Sequence, residues 1–283
     1  MGQNHLARLT APKSWVIARK ENRWTARPSP GPHGLNDSIT VNLLLKELLG
    51  VARTTKEVNT ILNNGYLTVD GVVRKSYKFP VGLMDVIKLD KINEVQRVLL
   101  DNMGRFYLVK IGKDEENLKL LKIINKRMIK GNKLQLTFHD GRTLLVGKFE
   151  GNVGDSVLFD LSKKSIVEIL KLEKSVSIYL TSGKHVGKIR KVKDIIKGQD
   201  LQRAKVIFEE NGEEIVTLVD YAFVVGKYSP VINIKSMERK LEEVSEKSDE
   251  ETKEKKASKK KETKKWMHQI QIRKLKLIRS QLT

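Results

Sequence analysis

The 283-residue chain contains no cysteine, which excludes disulfides, thiolate metal sites and cysteine nucleophiles together and leaves the redox compartment open. It also lacks a long hydrophobic run. The longest apolar stretch, residues 41–51, is broken by Asn42, Lys46 and Glu47, far short of the roughly 20 residues of a bilayer-spanning helix. No apolar h-region of a signal peptide opens the chain, and Met1-Gly2 is not followed by the Ser or Thr that N-myristoylation requires, because Leu6 stands there. These absences predict a cytoplasmic protein without membrane partners. Histidine is sparse: His5, His33, His139, His185 and His268 are scattered, with no spacing that builds a metal site. Gly187-Lys188 fails as a phosphate-binding loop, since Ile189 occupies the Ser or Thr position and Ser182 the place of a glycine. No catalytic residue, metal, cofactor or small-molecule substrate is therefore expected.

What is abundant is positive charge. Lys and Arg number 55 against 34 Asp and Glu, for a net charge of +21. Such a surface suits a polyanion, because each phosphate neutralised releases a condensed counterion. High charge alone also keeps a chain soluble, but here the charge is unevenly placed. Residues 1–36 net +5 and residues 237–283 net +6, so the two ends hold more than half of the excess. Within the tail, residues 238–254 net −4 and residues 255–283 net +10. Blocks of this kind act as interaction arms.

Local patterns divide the chain into five parts. Residues 1–36 form a basic arm that ends in Pro28-Ser29-Pro30-Gly31-Pro32, through which no helix can run. In it Lys13, Trp15, Arg19, Lys20, Arg23, Trp24 and Arg27 interleave cations with aromatics, a pattern suited to phosphate contact and base stacking. Trp15 serves equally well as an anchor on the chain's own core; for Trp24, between Arg23 and Arg27, stacking is favoured. Residues 37–92 begin with a short helix over 41–49 that Gly50 stops. A second helix is capped reciprocally by Thr54 and Glu57 and buries Val58, Ile61 and Leu62. Asp70-Gly71 between two apolar runs signals a hairpin, and a strand follows at 85–89. Residues 93–170 form a mostly β region with strands at 96–100, 105–111, 134–138 and 155–161 and a helix expected over 114–126. Residues 171–236 contain short strands around the turn at 182–189, which suggests a small SH3-like barrel. The reading is α+β, multidomain, with a charged tail at 237–283.

The helix pair, the Leu67-Thr68-Val69-Asp70-Gly71 hairpin and Pro80 before Asp85-Val86-Ile87 resemble an S-four-type RNA-binding domain. That resemblance implies an RNA face including Arg53, Lys56, Arg74, Lys75 and Lys78. Where the family often carries Ser-Arg, Thr54-Thr55 stands here, which leaves Arg53 or Lys56 as stand-ins. The spacing of Gly183, Gly187 and Ile189 is similar to the KOW motif, with Lys184, Lys188, Arg190 and Lys191 as the neighbouring cations that face RNA. Taken with Ala11-Pro12-Lys13-Ser14-Trp15 and Phe79-Pro80-Val81-Gly82, the order of modules resembles the archaeal and eukaryotic S-four-e family of small-subunit ribosomal proteins over about residues 1–240. Composition and spacing reach only a modular RNA binder. The resemblance implies a ribosome-bound constituent that contacts ribosomal RNA and neighbouring ribosomal proteins, not a homo-oligomer. The alternative is a KOW-type transcription elongation factor bound to RNA polymerase. The tail departs from the family, whose members generally end soon after the equivalent of Lys240, and is read either as an RNA-threading arm or as a dispensable appendage.

Overall fold

Local chemistry sets the start of the fold. Thr54 Oγ1 accepts from the Glu57 amide at 3.3 Å, and Glu57 reaches back to the Arg53 amide at 2.8 Å, closing the expected cap on helix α2 (Thr55–Asn63). The preceding segment is less regular than expected. One α-helical turn, α1 (Val41–Leu43), widens into a π turn over Leu44–Leu48, with the Leu49 amide donating to Leu44 O at 2.9 Å. The wider turn leaves Leu43, Leu44 and Leu45 buried. Asp70 and Gly71 both have positive φ, as a tight hairpin demands, and join β4 (Leu67–Val69) to β5 (Val72–Val73).

The structure, a computed structural model, describes residues 5–198, 202–210 and 212–234; the expected tail, with its proposed RNA-threading segment, lies outside them. Among the described residues the chain is mostly β with few helices. In the arm, β1 (Leu6–Ala7) pairs antiparallel with β2 (Trp24–Thr25). β3 (Ser38–Thr40) pairs with β6 (Pro80–Gly82). Three five-stranded antiparallel sheets follow. The first has the order β5-β4-β7-β8-β9, where β7 is Val86–Leu89, β8 Glu94–Leu100 and β9 Phe106–Lys110. This sheet runs past residue 92, so the change of sheet falls between Lys110 and Leu118.

The second sheet has the order β12-β11-β10-β13-β14, with β10 (Leu118–Ile129), β11 (Lys133–Phe138), β12 (Thr143–Val146), β13 (Ser156–Asp160) and β14 (Ser165–Leu170). Here the expected helix over 114–126 is overturned. Lys113–Glu115 forms a single 3-10 turn, and the residues from Leu118 are the central strand of the sheet. Lys119, Leu120 and Leu121 are consecutive and buried, because both faces of β10 are covered. Such a run has no alternation and cannot be told from a buried helix by period alone. Pairing with β13 on one side and β11 on the other decides it.

The third sheet has the order β18-β17-β16-β15-β19: β15 is Ser177–Leu180, β16 Ile189–Ile196, β17 Lys205–Glu210, β18 Glu213–Leu218 and β19 Ala222–Gly226. Val206, Ile207 and Phe208 pair with Thr217, Val216 and Ile215, as the sequence pattern anticipates. One core joins the arm and all three sheets, taking Leu120, Leu158 and Leu170 from the second; another lies on the other face of the second sheet around Leu121, Phe138 and Phe159.

Two contacts lock the third sheet to the first. Tyr179 Oη accepts from the Leu100 amide at 2.8 Å and donates to Leu100 O at 2.6 Å, fully buried. Beside it Gly187, at φ +80°, lies so close to the β8–β9 turn that a Cβ there would stand 2.6 Å from the Asp101 carbonyl carbon.

Candidate nucleic-acid interface

The two tryptophans of the arm have separate fates. Trp15 is buried and donates from Nε1 to Ser38 O at 2.6 Å, which makes it an anchor. Trp24 on β2 is 51% exposed, with the Arg23 guanidinium 4.9 Å from its ring centroid and the His5 ring at 5.3 Å. A half-exposed indole under a guanidinium presents both a stacking face and a cation. Lys13, Lys20 and Arg23 are exposed. Arg19 is spent within the arm: its guanidinium donates to the carbonyls of Arg8 at 3.2 Å, Ala11 at 2.8 Å and Pro12 at 2.8 Å. Arg27 is half-buried and engaged inside the protein. Next to it, Ser29 donates from its amide and hydroxyl to Lys78 O at 2.9 and 3.1 Å, so the arm's end is fastened beside Lys78.

Around the hairpin, cations lie over aromatic rings. Arg74 sits 4.3 Å from the Phe79 centroid and Lys78 5.6 Å from that of Tyr77. Sequence reasoning missed a third such pair, Lys91 at 4.3 Å over Tyr66; its signal, an aromatic before β4 and a lysine just after β7, spans 25 residues and is joined only by the sheet. Arg53 and Lys56 are exposed at the start of α2, and Lys75 is exposed after β5.

The glycine-punctuated turn behaves differently from its sequence-based reading. Lys188 and Arg190 do not project freely: both donate to Glu210 Oε1, at 2.5 and 2.6 Å, and His185 lies 2.6 Å from the other Glu210 oxygen. Burial alone would raise the Glu210 pKa, but the bonds from Lys188 and Arg190 outweigh it and hold it at about 2. Lys184 and Lys191 remain exposed. Among the described residues, no group of three or more His, Asp or Glu is placed to hold a metal, and no helix is long and apolar enough to cross a membrane.

Under the surface lies an ionic cluster that no sequence pattern announced. Lys119 Nζ donates to Asp85 at 2.6 Å, Asp70 at 2.7 Å and Asp140 at 3.1 Å, with its side chain wholly buried. Arg142 adds bonds to Asp70 at 2.7 Å and Asp140 at 2.9 Å, and His33 from the arm meets Asp85 at 3.0 Å. Burial works against the charge on Asp85, yet Lys119 and His33 hold its carboxyl well below the usual range; burial raises Asp70. His139 is pushed down to about 4 by burial and by Lys119. It accepts at Nδ1 from the Lys122 amide at 3.2 Å and lies 3.2 Å from Leu83 O at Nε2, an arrangement that the neutral tautomer protonated at Nε2 satisfies. The cluster thus joins the arm, the first sheet and the second sheet.

Comparison with known proteins bears on what these surfaces serve. Residues 1–36 match the model of the RS4NT (NUC023) domain and residues 92–166 that of the ribosomal family S4e. The small ribosomal subunit protein eS4 of Methanothermobacter thermautotrophicus is 40% identical over 233 residues, covering 82% of this chain and 96% of that one. The protein of the same name from Methanococcus aeolicus is 42% identical over 240 residues, covering 82% and 98%. The chain belongs to the ribosomal S4e family. The crystal structure of 30S ribosomal protein S4e from Thermoplasma acidophilum superposes with a TM-score of 0.60 at 31% identity, covering 68% of this chain and 96% of that one. The family models fall on the arm and on the segment that supplies Lys119, Asp140 and Arg142, so the matched stretches of this S4e chain include four of the six residues in the ionic cluster.

Glu210 gives the S4e chain a pH-dependent contribution with a definite sign. A carboxyl lowered from 4.5 to about 2 on folding stabilises fully above its unfolded pKa and loses that contribution as pH falls through the folded value. Glu210→Gln should therefore lower the urea midpoint at pH 7, and the gap to wild type should close between about pH 4.5 and pH 2. A gap independent of pH would show that the ion pairs on Glu210 contribute nothing through its charge.

Proposed function

We propose that this S4e protein is a structural, non-enzymatic constituent of the small ribosomal subunit that works bound to ribosomes in the cytoplasm. It holds ribosomal RNA through cations on its arm, its helix–hairpin segment and its third sheet, beside neighbouring ribosomal proteins. The observation that carries the reading is the near-complete coverage of relatives named small ribosomal subunit protein eS4. The relatives reported above bear that name, and nothing among them favours the elongation-factor alternative.

The geometry refines which side chains serve. We assign Lys13, Lys20, Arg23 and Trp24 to RNA on the arm, Arg53, Lys56, Arg74, Lys75 and Lys78 on an S-four-type helix–hairpin unit, and Lys184 and Lys191 on a KOW-type barrel. Arg19, Lys188 and Arg190 support the scaffold, each donating to oxygens of the protein itself. Co-sedimentation on a salt-stepped sucrose gradient tests the reading: the protein should travel with the small subunit and leave only at high salt, whereas sedimentation solely with RNA polymerase would refute it.

The arm makes a quantitative prediction. Lys13→Ala, Lys20→Ala and Arg23→Ala combined should flatten the dependence of log K on log salt for RNA binding, by roughly 0.7–0.9 for each phosphate that is no longer neutralised. Filter binding across salt concentrations measures the slope. An unchanged slope would mean that the arm's exposed cations do not meet phosphate.

A further inference from the structure

The second sheet has a polarised charge that the assignments above do not use. Residues 123–139 contain Lys126, Arg127, Lys130 and Lys133 and no acidic residue, whereas residues 150–170, which hold β13 and β14, contain four acids and two lysines. Several surface cations elsewhere on the body are matched: Lys88 by Glu116, Lys110 by Glu94, Lys174 by Asp194, Lys193 by Glu214 and Arg203 by Asp220. Arg127, Lys130 and Lys133 are exposed, and among the described residues none has an ion-pair partner.

Register shows where they stand. Arg127 pairs with Gln135, which pairs in turn with Leu145, and Ile129 pairs with Lys133. Paired residues share a face and alternate residues return to it, so Arg127 and Lys133 are diagonal neighbours on the face that also carries Thr137. The opposite face carries Leu134 and Leu136 into the core. Lys130 sits in the turn beyond, where Gly131 and Asn132 both have positive φ and bring the chain tightly round. Lys126 is bound differently, donating to Gly151 O at 3.0 Å, and is not a member of this group.

We infer that the outer face and tip of the β10–β11 hairpin form a further RNA-contacting surface, recognising the phosphate backbone of structured RNA through Arg127, Lys130 and Lys133. The inference rests on the ribosomal reading above and extends it to a part of the chain to which that reading gives no RNA contact. The surface lacks a Trp, Tyr or Phe on its outward positions, so it offers no stacking platform for splayed bases. Its amide and hydroxyl groups, Gln135 and Thr137, suit the 2′-hydroxyls that line the shallow groove of an RNA helix. Arg127 and Lys133 stand on paired antiparallel strands, so little backbone must be ordered on binding.

The test uses the full chain and a transcript of its cognate small-subunit ribosomal RNA. Arg127→Ala, Lys130→Ala and Lys133→Ala together should lower the salt slope of binding by about 2–3, at roughly 0.7–0.9 per phosphate, with the urea midpoint unchanged because all three side chains face solvent. The charge-conserving set Arg127→Lys, Lys130→Arg and Lys133→Arg should keep the slope. Full RNA affinity and slope in the alanine variant, beside a wild type that binds, would overturn this inference alone. Failure of wild type to bind the transcript would overturn the ribosomal reading and this one with it. Retained RNA affinity with lost incorporation into small subunits would reassign the surface to an acidic neighbouring protein, and so also overturn it.

Discussion

Lys119→Met is expected to lower the unfolding free energy by roughly 3–5 kcal/mol, the usual cost of removing one member of a buried ion cluster and leaving the rest uncompensated. The substitution conserves length and packing, so the loss isolates charge. Asp70, Asp85 and Asp140 would remain, all within 3.1 Å of the position Nζ now occupies. Arg142 still meets Asp70 and Asp140, and His33 still meets Asp85, but neither touches all three. Burial already raises Asp70 in the native protein, which makes it the group that takes up a proton when Lys119 is gone. A carboxyl whose folded pKa lies above its unfolded value favours the folded state at low pH. The variant should therefore recover relative to wild type as pH falls towards about 4; its gap narrows as that of Glu210→Gln does, but through a raised carboxyl in the variant and not a lowered one in wild type. Asp70→Asn placed on Lys119→Met should restore part of the loss at pH 7, and a double-mutant cycle reads the coupling. Equal stability of Lys119→Met and wild type in urea at pH 7 would show that the cluster is no net stabiliser.

Gly187→Ala should be nearly as damaging, by a different route. A methyl group there meets the Asp101 carbonyl carbon at 2.6 Å, its oxygen at 2.7 Å and Leu100 O at 2.8 Å, all backbone atoms with little freedom to retreat. Overpacking of this kind costs about 1–3 kcal/mol, and a positive φ adds roughly 1–2 kcal/mol for a residue with a Cβ. Gly183 in the same turn provides the control. Its φ is +92°, but the nearest atom to an added Cβ is Tyr221 Cδ2 at 3.8 Å, so Gly183→Ala bears the backbone strain alone. Hydrogen exchange at Leu100, Asp101 and Gly187 should rise in Gly187→Ala and stay near wild type in Gly183→Ala. Equal effects would mean that both glycines serve only to turn the chain.

Much of this organisation is legible wherever the determining interactions are local. Thr54 and Glu57 are three residues apart, and Asp70 and Gly71 adjacent, so the cap and the hairpin can be read directly. Strand β10 defeats such reading because burial on both faces erases the alternation that identifies a strand. The ionic cluster is invisible for another reason. Asp70 and Asp140 read as turn residues before Gly71 and Gly141, and they do occupy turns, but their carboxylates also converge on a lysine 49 and 21 residues away. Glu210 likewise sits 20 residues from Arg190, so the motif alone could not reveal that two of its four cations are neutralised internally. For the arm, Lys20, Arg23 and Trp24 are exposed as the interleaved pattern suggests, while Arg19 and Trp15 are drawn inward by backbone carbonyls that no composition shows.

The Tyr179–Leu100 bond pair also has a consequence in time. The amide and carbonyl of Leu100, at the end of β8, find their partner 79 residues later in the chain. At about 5–20 residues per second of synthesis, that partner follows Leu100 by roughly 4–16 s. Until then this end of the first sheet has an unfilled seat beside Asp101, whereas the partners that fasten the arm, from Ser38 to Phe106, have already been made.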